Sequence, residues 1–219
     1  MNDALRLSPI YNSLQQLGGV WHDIKGMKSL YSLPDDEANA AQLGIANLSF
    51  IPRFGVKGAI ASIWLESQSI PIPDRPNSWC QLPEGGIIAR LGSSEFLIED
   101  SGVAPRLIEA CKSPPAKVYP VLRQDLAIAL IGSKVNELLL QTSSFNFQSL
   151  SITNRPVILT SMAGVNVTVI PGVLQEQPFY RIWCDGTFGV YLWQTLNAIA
   201  IELGGGAIGL ETMIATSHL

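Results

Sequence analysis

The sequence carries little charge for a folded chain of its size. Only 15% of its 219 residues are Asp, Glu, Lys or Arg, whereas soluble globular chains average about 25%. Such a surface is typical of a protein packed against other subunits, although a compact monomer rich in serine and asparagine fits the composition too. The net charge is −4 and basic residues do not cluster in the sequence, which argues against a nucleic-acid partner held through its phosphates.

Segments that would direct the chain to a membrane or to secretion are also missing. The opening MNDALRLSPI lacks the basic and then apolar pattern of a secretory signal. No run of about 18 apolar residues is present, since the nearest candidate, residues 187–201, is short and contains Gln194 and Asn197. We therefore expect a cytoplasmic protein.

Cysteine and histidine are too few, and too dispersed, for several kinds of site. Cys80, Cys111 and Cys184 are widely spaced and form no C-x-x-C motif, so neither a disulfide scaffold nor a zinc site is indicated and buried reduced thiols are expected. His22 and His218 are the only histidines. That nearly excludes histidine-based catalytic triads and metal sites built on several histidines.

Two stretches of the chain show the same pattern of residue types in the same order. Residues 54–65, FGVKGAIASIWL, and residues 125–140, DLAIALIGSKVNELLL, each begin with a short apolar run, reach a glycine and continue with apolar residues at helical spacing. This pattern predicts a strand, a tight turn and a helix in each copy. The turn glycines are Gly58 and Gly132, which lie 74 residues apart, a spacing that suits two related α+β units and is too long for a solenoid repeat.

The segments after each copy are also parallel. Short strand candidates come first, and a helical segment follows: VAPRLIEACK in the first half and TFGVYLWQTLNAIAIEL in the second. We therefore predict an α+β fold of two β-α-β-β-α-β-like halves with antiparallel sheets. The expected division is a helical N-terminal arm at residues 1–47, a first half at 48–117 and a second half at 118–219, together one compact unit.

The N-terminal arm shows a helix-start signal. Ser8 and Pro9 are a hydroxyl N-cap and a proline at the first helical position. Ile10, Leu14 and Leu17 then form an apolar stripe at helical spacing.

Residues 8–65 resemble the aminomethyltransferase family, which includes the T-protein of the glycine cleavage system. The resemblance rests on an ordered series of short motifs: Ser8-Pro9-Ile10-Tyr11, Gly18-Gly19, Trp21-x-Asp23-Ile24-x-Gly26-Met27, Glu37, Gly44-Ile45-Ala46-Asn47-Leu48-Ser49 and Val56-Lys57-Gly58-Ala59. It implies the folate-binding fold of that family without its C-terminal barrel, for which 219 residues are too few.

The later part of the chain is similar to a smaller relative, the gamma subunit of heterotetrameric sarcosine oxidase. Three segments carry this similarity: Pro73 to Asn77, Arg90-Leu91-Gly92-Ser93-Ser94-Glu95-Phe96-Leu97, and Gly186-Thr187-Phe188-Gly189-Val190-Tyr191-Leu192-Trp193. The similarity implies partners, namely larger subunits of a complex that oxidises an N-methyl amine; self-association is the other expectation.

The resemblance also implies a folate site in a reduced form. The family's G-E-x-G-F-E motif corresponds to residues 175–180, which keep Glu176 and place Tyr180 where the second glutamate would be. With Trp21 from the N-terminal signature, these residues are the candidate contacts for tetrahydrofolate; for Glu176 a solvated turn is the competing interpretation. The two aspartates that follow Gly-Gly-Ile in the T-protein are absent, because Gly85-Gly86-Ile87-Ile88 continues into Ala89-Arg90. A carboxylate that handles a proton cannot be replaced by Ala or Arg, so no catalytic residue is predicted.

The aromatic C-terminal helix is the candidate subunit interface, through Phe188, Tyr191 and Trp193. Aromatic residues at such spacing serve as core or as subunit contact. The leading hypothesis is a non-catalytic or vestigial folate-binding subunit of a sarcosine-oxidase-like complex. The alternatives are a stand-alone tetrahydrofolate-dependent transferase and a folate-binding accessory factor.

Overall fold

The computed structural model describes residues 6–83 and 85–214, which form two compact units. Unit 1 contains the N-terminal segment to Phe50, then Asp125–Leu150, and the chain from Thr160 onward. Unit 2 contains Ile51–Gln124 and Ser151–Leu159. The strand-turn-helix of residues 54–65 therefore lies in unit 2, and that of residues 125–140 lies in unit 1.

The N-terminal segment alternates short helices and strands. Its elements are α1 (Tyr11–Gln15), β1 (Val20–Ile24), β2 (Met27–Ser32), α2 (Asp36–Leu43) and β3 (Gly44–Asn47). The first helix begins later than the sequence predicts. Ser8 Oγ accepts a hydrogen bond from the Ile10 N–H (3.3 Å), as an N-cap does, but the Tyr11 N–H donates to the Ser8 carbonyl oxygen (3.0 Å) in a turn, and regular helix follows only from Tyr11. Ile10 and Leu14 are buried as expected, whereas Leu17 is exposed.

Unit 2 is a five-stranded antiparallel sheet with two helices. Along the chain its elements are β4 (Arg53–Lys57), α3 (Ala61–Ser67), β5 (Ser78–Gln81), β6 (Ile87–Arg90), β7 (Glu95–Glu99), α4 (Val103–Ala110) and β8 (Tyr119–Val121). The strand order in the sheet is β5-β6-β7-β4-β8. Phe54 and Val56 of β4 pack in one buried cluster with Trp64 of α3 and Leu107 of α4. Each such side chain contributes about 1.5–3 kcal/mol on burial.

Unit 1 repeats this order of elements around a six-stranded sheet. Its later elements are β9 (Leu126–Ile131), α5 (Val135–Thr142), β10 (Ile158–Met162), β11 (Val165–Leu174), β12 (Gln177–Cys184), α6 (Gly189–Glu202), β13 (Gly206–Ile208) and α7 (Leu210–Ile214). The strand order is β10-β11-β12-β9-β3-β13, which is the order of unit 2 with β3 inserted between the fourth and last strands. Strand β13 pairs with β3 in parallel, and the other register-defined pairs are antiparallel.

The predicted fold class is confirmed. The fold is α+β with antiparallel sheets, and neither sheet closes into a barrel within the described residues. Each half has three strands between its helices, one more than the short formula β-α-β-β-α-β allows. The additional strands come from the short strand candidates that the sequence shows between the helical segments.

The two turn glycines occupy the same place in both halves and have the same backbone conformation. Gly58 has φ +134° and Gly132 has φ +120°, values that L side chains rarely adopt. A Cβ on Gly132 would lie 2.5 Å from the carbonyl oxygen of Gln42, and one on Gly58 would collide with the carbonyl oxygen of Lys117. Each glycine thus permits a close backbone approach where a strand turns into a helix.

An aspartate also follows the strand that precedes the second helix of each half: Asp100 follows β7 and Asp185 follows β12. Asp100 Oδ1 accepts hydrogen bonds from the N–H groups of Gly102 (2.7 Å) and Val103 (2.6 Å) at the start of α4. Asp185 Oδ1 accepts from the Thr187 N–H (2.8 Å) in the short 3₁₀ helix, residues 186–188, that leads into α6. These N-caps satisfy backbone donors that a helix start leaves unpaired, and the bonds from Thr187 lower the pKa of the exposed Asp185 carboxyl.

The three cysteines are free thiols. Cys111 and Cys184 are buried and Cys80 is half-buried. Burial, followed by the nearby carboxylates of Asp125 and Asp185, raises the pKa of the Cys184 thiol to about 12.

Among the helices of the described ranges, none has the length and apolarity needed to cross a bilayer.

The turn glycines yield a first prediction. Gly132→Ala should lower the free energy of unfolding by about 2 kcal/mol or more, because the methyl group meets a backbone oxygen and the left-handed φ is strained for alanine. Urea unfolding followed by circular dichroism measures the change. Gly92→Ala is the matched control, since a Cβ there has no neighbouring atom within 4 Å and φ is unexceptional. Equal stability of the two variants would refute the close-approach argument.

Candidate functional site

Glu176 lies at the tip of the long hairpin formed by β11 and β12. Gln175 and Glu176 have φ values of +50° and +64° and connect the paired residues Leu174 and Gln177, as the two central residues of a tight hairpin turn do. The Glu176 side chain is exposed. Within the described residues it has no hydrogen bond or ion pair, so its carboxylate is available to a ligand.

Tyr180 lies four residues further along β12 and has a different environment. It is only 6% exposed, its hydroxyl donates a hydrogen bond to Asn136 Oδ1 (3.2 Å), and its ring meets that of Phe147 edge-on at 5.6 Å. Burial raises the pKa of the phenol. Tyr180 is therefore a core residue whose polar end is already bound.

Trp21 lies on a separate hairpin, in β1. Its ring is half-buried and meets Tyr11 in a T-shaped contact at 5.5 Å, and its Nε1–H donates to the carbonyl oxygen of Gly18 (3.2 Å). None of these contacts involves Glu176 or Tyr180. The structure thus places two of the three predicted folate contacts on one strand pair and the third on the N-terminal hairpin.

The predicted interface residues separate into two groups. Phe188 and Tyr191 are each 54% exposed, and the Tyr191 hydroxyl donates to the carbonyl oxygen of Ala163 (3.1 Å). Trp193 is 2% exposed and belongs to the core of unit 1. Phe188 and Tyr191 are therefore the two members of this set that a partner can reach.

Three buried carboxylates, which sequence reasoning did not single out, are all bound within the chain. Glu99 is paired with Arg53 across β4 and β7 (3.2 Å), with both side chains almost fully buried. Asp100 caps α4, and Asp36 Oδ1 and Oδ2 accept from the N–H groups of Gly209 and Leu33, both at 2.9 Å. The sequence signal that could have indicated the two aspartates was their position, since Asp36 begins α2 and Asp100 precedes α4.

These carboxylates bind groups of the chain itself, since the two aspartates are hydrogen-bonded by backbone donors and Glu99 is paired with the buried Arg53. The described residues also contain no group of three or more His, Cys, Asp or Glu side chains that could hold a metal ion. Among the three predicted folate contacts, Glu176 is the one whose polar group is exposed and not bonded within the described residues.

Comparison with known proteins gives a likeness in fold. No protein-family model and no curated protein matches the sequence. Aminomethyltransferase T of the glycine cleavage system from Bartonella henselae is similar over 95% of this chain with TM-score 0.74 and 13% identity, and this chain spans 60% of its length. A chain of heterotetrameric sarcosine oxidase from Corynebacterium sp. U-96 is similar over 93% of this chain and 98% of its own length, with TM-score 0.64 and 16% identity.

The resemblance predicted from sequence motifs is therefore confirmed in the fold. The two solved structures are an aminomethyltransferase T and a heterotetrameric sarcosine oxidase, the two kinds of protein that the sequence motifs resemble. TM-scores of 0.74 and 0.64 show a shared architecture, and identities of 13% and 16% leave the activity to be argued from this chain's own residues.

The buried carboxylates yield a second prediction. Asp36→Asn should lower the free energy of unfolding by about 1–3 kcal/mol, because the amide offers one acceptor where two backbone N–H groups need one each. Asp35→Asn is the control, since Asp35 is exposed and makes no side-chain capping bond. Urea denaturation of both variants tests the assignment, and a loss of stability shared equally by the control would contradict it.

Proposed function

We propose that this chain is a non-catalytic subunit of a complex that oxidises an N-methyl amine, and that it retains a vestigial contact for tetrahydrofolate. The observation that carries the proposal is the similarity in fold over 98% of a chain from a heterotetrameric sarcosine oxidase. A chain of matching extent suits a subunit in such an assembly. Low charge in the sequence supports the same conclusion.

The outer face of α6 supports a partner subunit. The helix carries one charged residue, Glu202, at its C-terminal end. Phe188, which directly precedes the helix, and Val190, Tyr191 and Ile201 within it are exposed, as is the uncharged Gln194. The corresponding helix of unit 2, α4, carries Arg106 and Glu109, and Glu109 pairs with Lys112 just beyond it. Because two helices in equivalent positions differ in this way, the apolar face of α6 is a property of that helix and not of the fold.

The buried carboxylates already have partners within the chain, which supports a non-catalytic role. Asp36, Glu99 and Asp100 are held by backbone donors or by Arg53. Ala89 and Arg90 stand where the sequence resemblance would place the T-protein's aspartates. Proton transfer to a folate amine needs a positioned acid or base, so we assign the chain a binding role.

The fit to tetrahydrofolate is partial. Glu176 has an exposed carboxylate that can accept hydrogen bonds from the amino and ring N–H groups of a pterin, and Trp21 presents a half-buried ring. Tyr180 does not fit, because its hydroxyl is bound to Asn136 and its ring is buried. When bound, the folate would supply the acceptor for a one-carbon unit, while this chain would hold its pterin.

The interface proposal predicts the effect of charge on α6. Phe188→Asp should release the chain from its larger partners, because an aspartate would have to lose its water inside an apolar contact. Its unfolding midpoint should be unchanged, since the side chain is half exposed. The measurement is co-purification of the tagged chain with chains that together oxidise N-methyl amines, followed by the mass of the complex.

Ile63→Asp is the control for this experiment. Ile63 is an exposed apolar residue of α3 in unit 2, so the change in charge is the same at a different surface. If both variants stayed in the complex, the proposal that α6 forms the interface would be refuted. A purified monomer that transfers a one-carbon unit from tetrahydrofolate would instead establish the enzymatic alternative.

The folate contact predicts a calorimetric difference. Glu176→Ala should weaken tetrahydrofolate binding at least about fivefold, because a hydrogen bond to a charged acceptor is worth about 1.5–3 kcal/mol. Glu202→Ala serves as the control, since it removes the same charge from the exposed end of α6. An unchanged titration curve for Glu176→Ala would exclude this residue from the folate contact.

A further inference from the structure

Two exposed arginines come together at the edge of the unit 2 sheet, although they are 80 residues apart in sequence. The segment after the 3₁₀ helix of residues 152–154 lies beside β5: the Trp79 N–H donates to the carbonyl oxygen of Arg155 (3.0 Å), and the Val157 N–H donates to that of Asn77 (2.9 Å). Arg75 Nη2 donates to the carbonyl oxygen of Asn154 (3.3 Å). This pairing brings Arg75 and Arg155 to one patch.

Arg155 is positioned by an aromatic ring. Its guanidinium lies 5.5 Å from the centre of the Trp79 ring, and its backbone has φ +47°, an uncommon conformation for a residue with a side chain. Within the described residues this guanidinium has no hydrogen bond or ion pair. An arginine stacked on an aromatic ring keeps its N–H edge free for a carboxylate.

The surroundings add positive charge. Arg90, at the end of β6, donates to the carbonyl oxygens of Pro73 (3.1 Å), Ser93 (3.0 Å) and Gly92 (3.3 Å), and its guanidinium lies 5.7 Å from the centre of the Phe96 ring. Asp74, the residue before Arg75, is exposed as well. The patch therefore has two exposed arginines, Arg75 and Arg155, and one exposed aspartate, in a chain whose net charge is −4.

The ion pairs of the described residues do not involve this patch. Arg53, Lys112, Arg123 and Lys134 are basic partners in such pairs. Arg75, Arg90 and Arg155 are not among them. Exposed arginines whose guanidinium groups are in no ion pair can bind acidic motifs through paired hydrogen bonds to carboxylates.

We propose that Arg75 and Arg155 bind an acidic segment of a partner chain at the edge of the unit 2 sheet. The two side chains are exposed and supported from below by Trp79 and by the backbone of residues 154–157, an arrangement that suits an extended acidic peptide better than a small enclosed ion. The inference extends the proposed function, since it supplies a second contact, of opposite character to the apolar face of α6. Such a contact speeds association and fixes the orientation of the partner.

The test measures binding of a labelled hexaglutamate peptide to the full chain by fluorescence anisotropy, with hexaglutamine as the neutral control. Hexaglutamate should bind at least tenfold more tightly than hexaglutamine at low salt. The affinity should fall severalfold when the ionic strength rises from about 20 to about 200 mM, because screening shortens the range of charge attraction. Equal binding of the two peptides would overturn the proposal.

Variants locate the site. Arg75→Gln and Arg155→Gln should each weaken hexaglutamate binding at least threefold. Arg106→Gln, which removes the same charge from an exposed arginine of α4 that is bonded to Gln68, should not. An equal loss in all three variants would show that only net charge matters and would refute the site. If Arg155→Gln unfolds, Arg75→Gln, whose residue makes one weak side-chain bond, carries the test.

The experiment is separable from that of the proposed function. Phe188→Asp should keep its affinity for hexaglutamate while losing the larger subunits. Peptide binding that depends on Arg75 and Arg155, in a chain that assembles with no amine-oxidising partner, would support the acidic-segment site and reject the proposed complex.

Discussion

Each half of this protein depends on one close approach between backbone segments, where its first strand turns into a helix. At Gly132 the turn lies against the carbonyl oxygens of Ala40 and Gln42, and the next two N–H groups, of Ser133 and Lys134, donate to Ala41 and Gln42. The end of α2 is thereby joined to the start of α5, and β3 follows directly to pair with β9. A side chain at the turn would separate these segments, so the inserted position of β3 depends on a glycine.

The glycine turns were predictable because their signal is local. A short apolar run, a glycine and a helical apolar stripe lie within a dozen residues, and the structure has a strand, a left-handed glycine and a helix at both places. The delayed start of α1 was not predictable, because the Ser8 hydroxyl, besides accepting from the Ile10 N–H, donates to Asn47 Oδ1 (3.3 Å). That second bond spans 39 residues, and no local pattern encodes it.

In the candidate site, too, features set by neighbouring residues were predictable from the sequence, and features set by distant residues were not. The exposure of Glu176 follows from its place in a two-residue hairpin turn, which the sequence suggested. The burial of Tyr180 and Trp193 depends on which face of a strand or helix meets the core, and both positions lie in apolar stretches where nearly every residue could be inside. The roles of Asp36 and Glu99 depend on partners, Gly209 and Arg53, that are distant in the chain.

The duplicated architecture separates what the fold requires from what this chain does with it. Features present in both halves, such as the turn glycines and the capping aspartates Asp100 and Asp185, are required by the strand-to-helix geometry itself. Features present in one half only are not required by it. The uncharged face of α6 and the Arg75–Arg155 patch are two such features, and they differ in chemistry: the first excludes charge, and the second attracts acid. A partner that satisfies both must present an apolar surface and an acidic segment, which is a stricter requirement than either surface imposes alone.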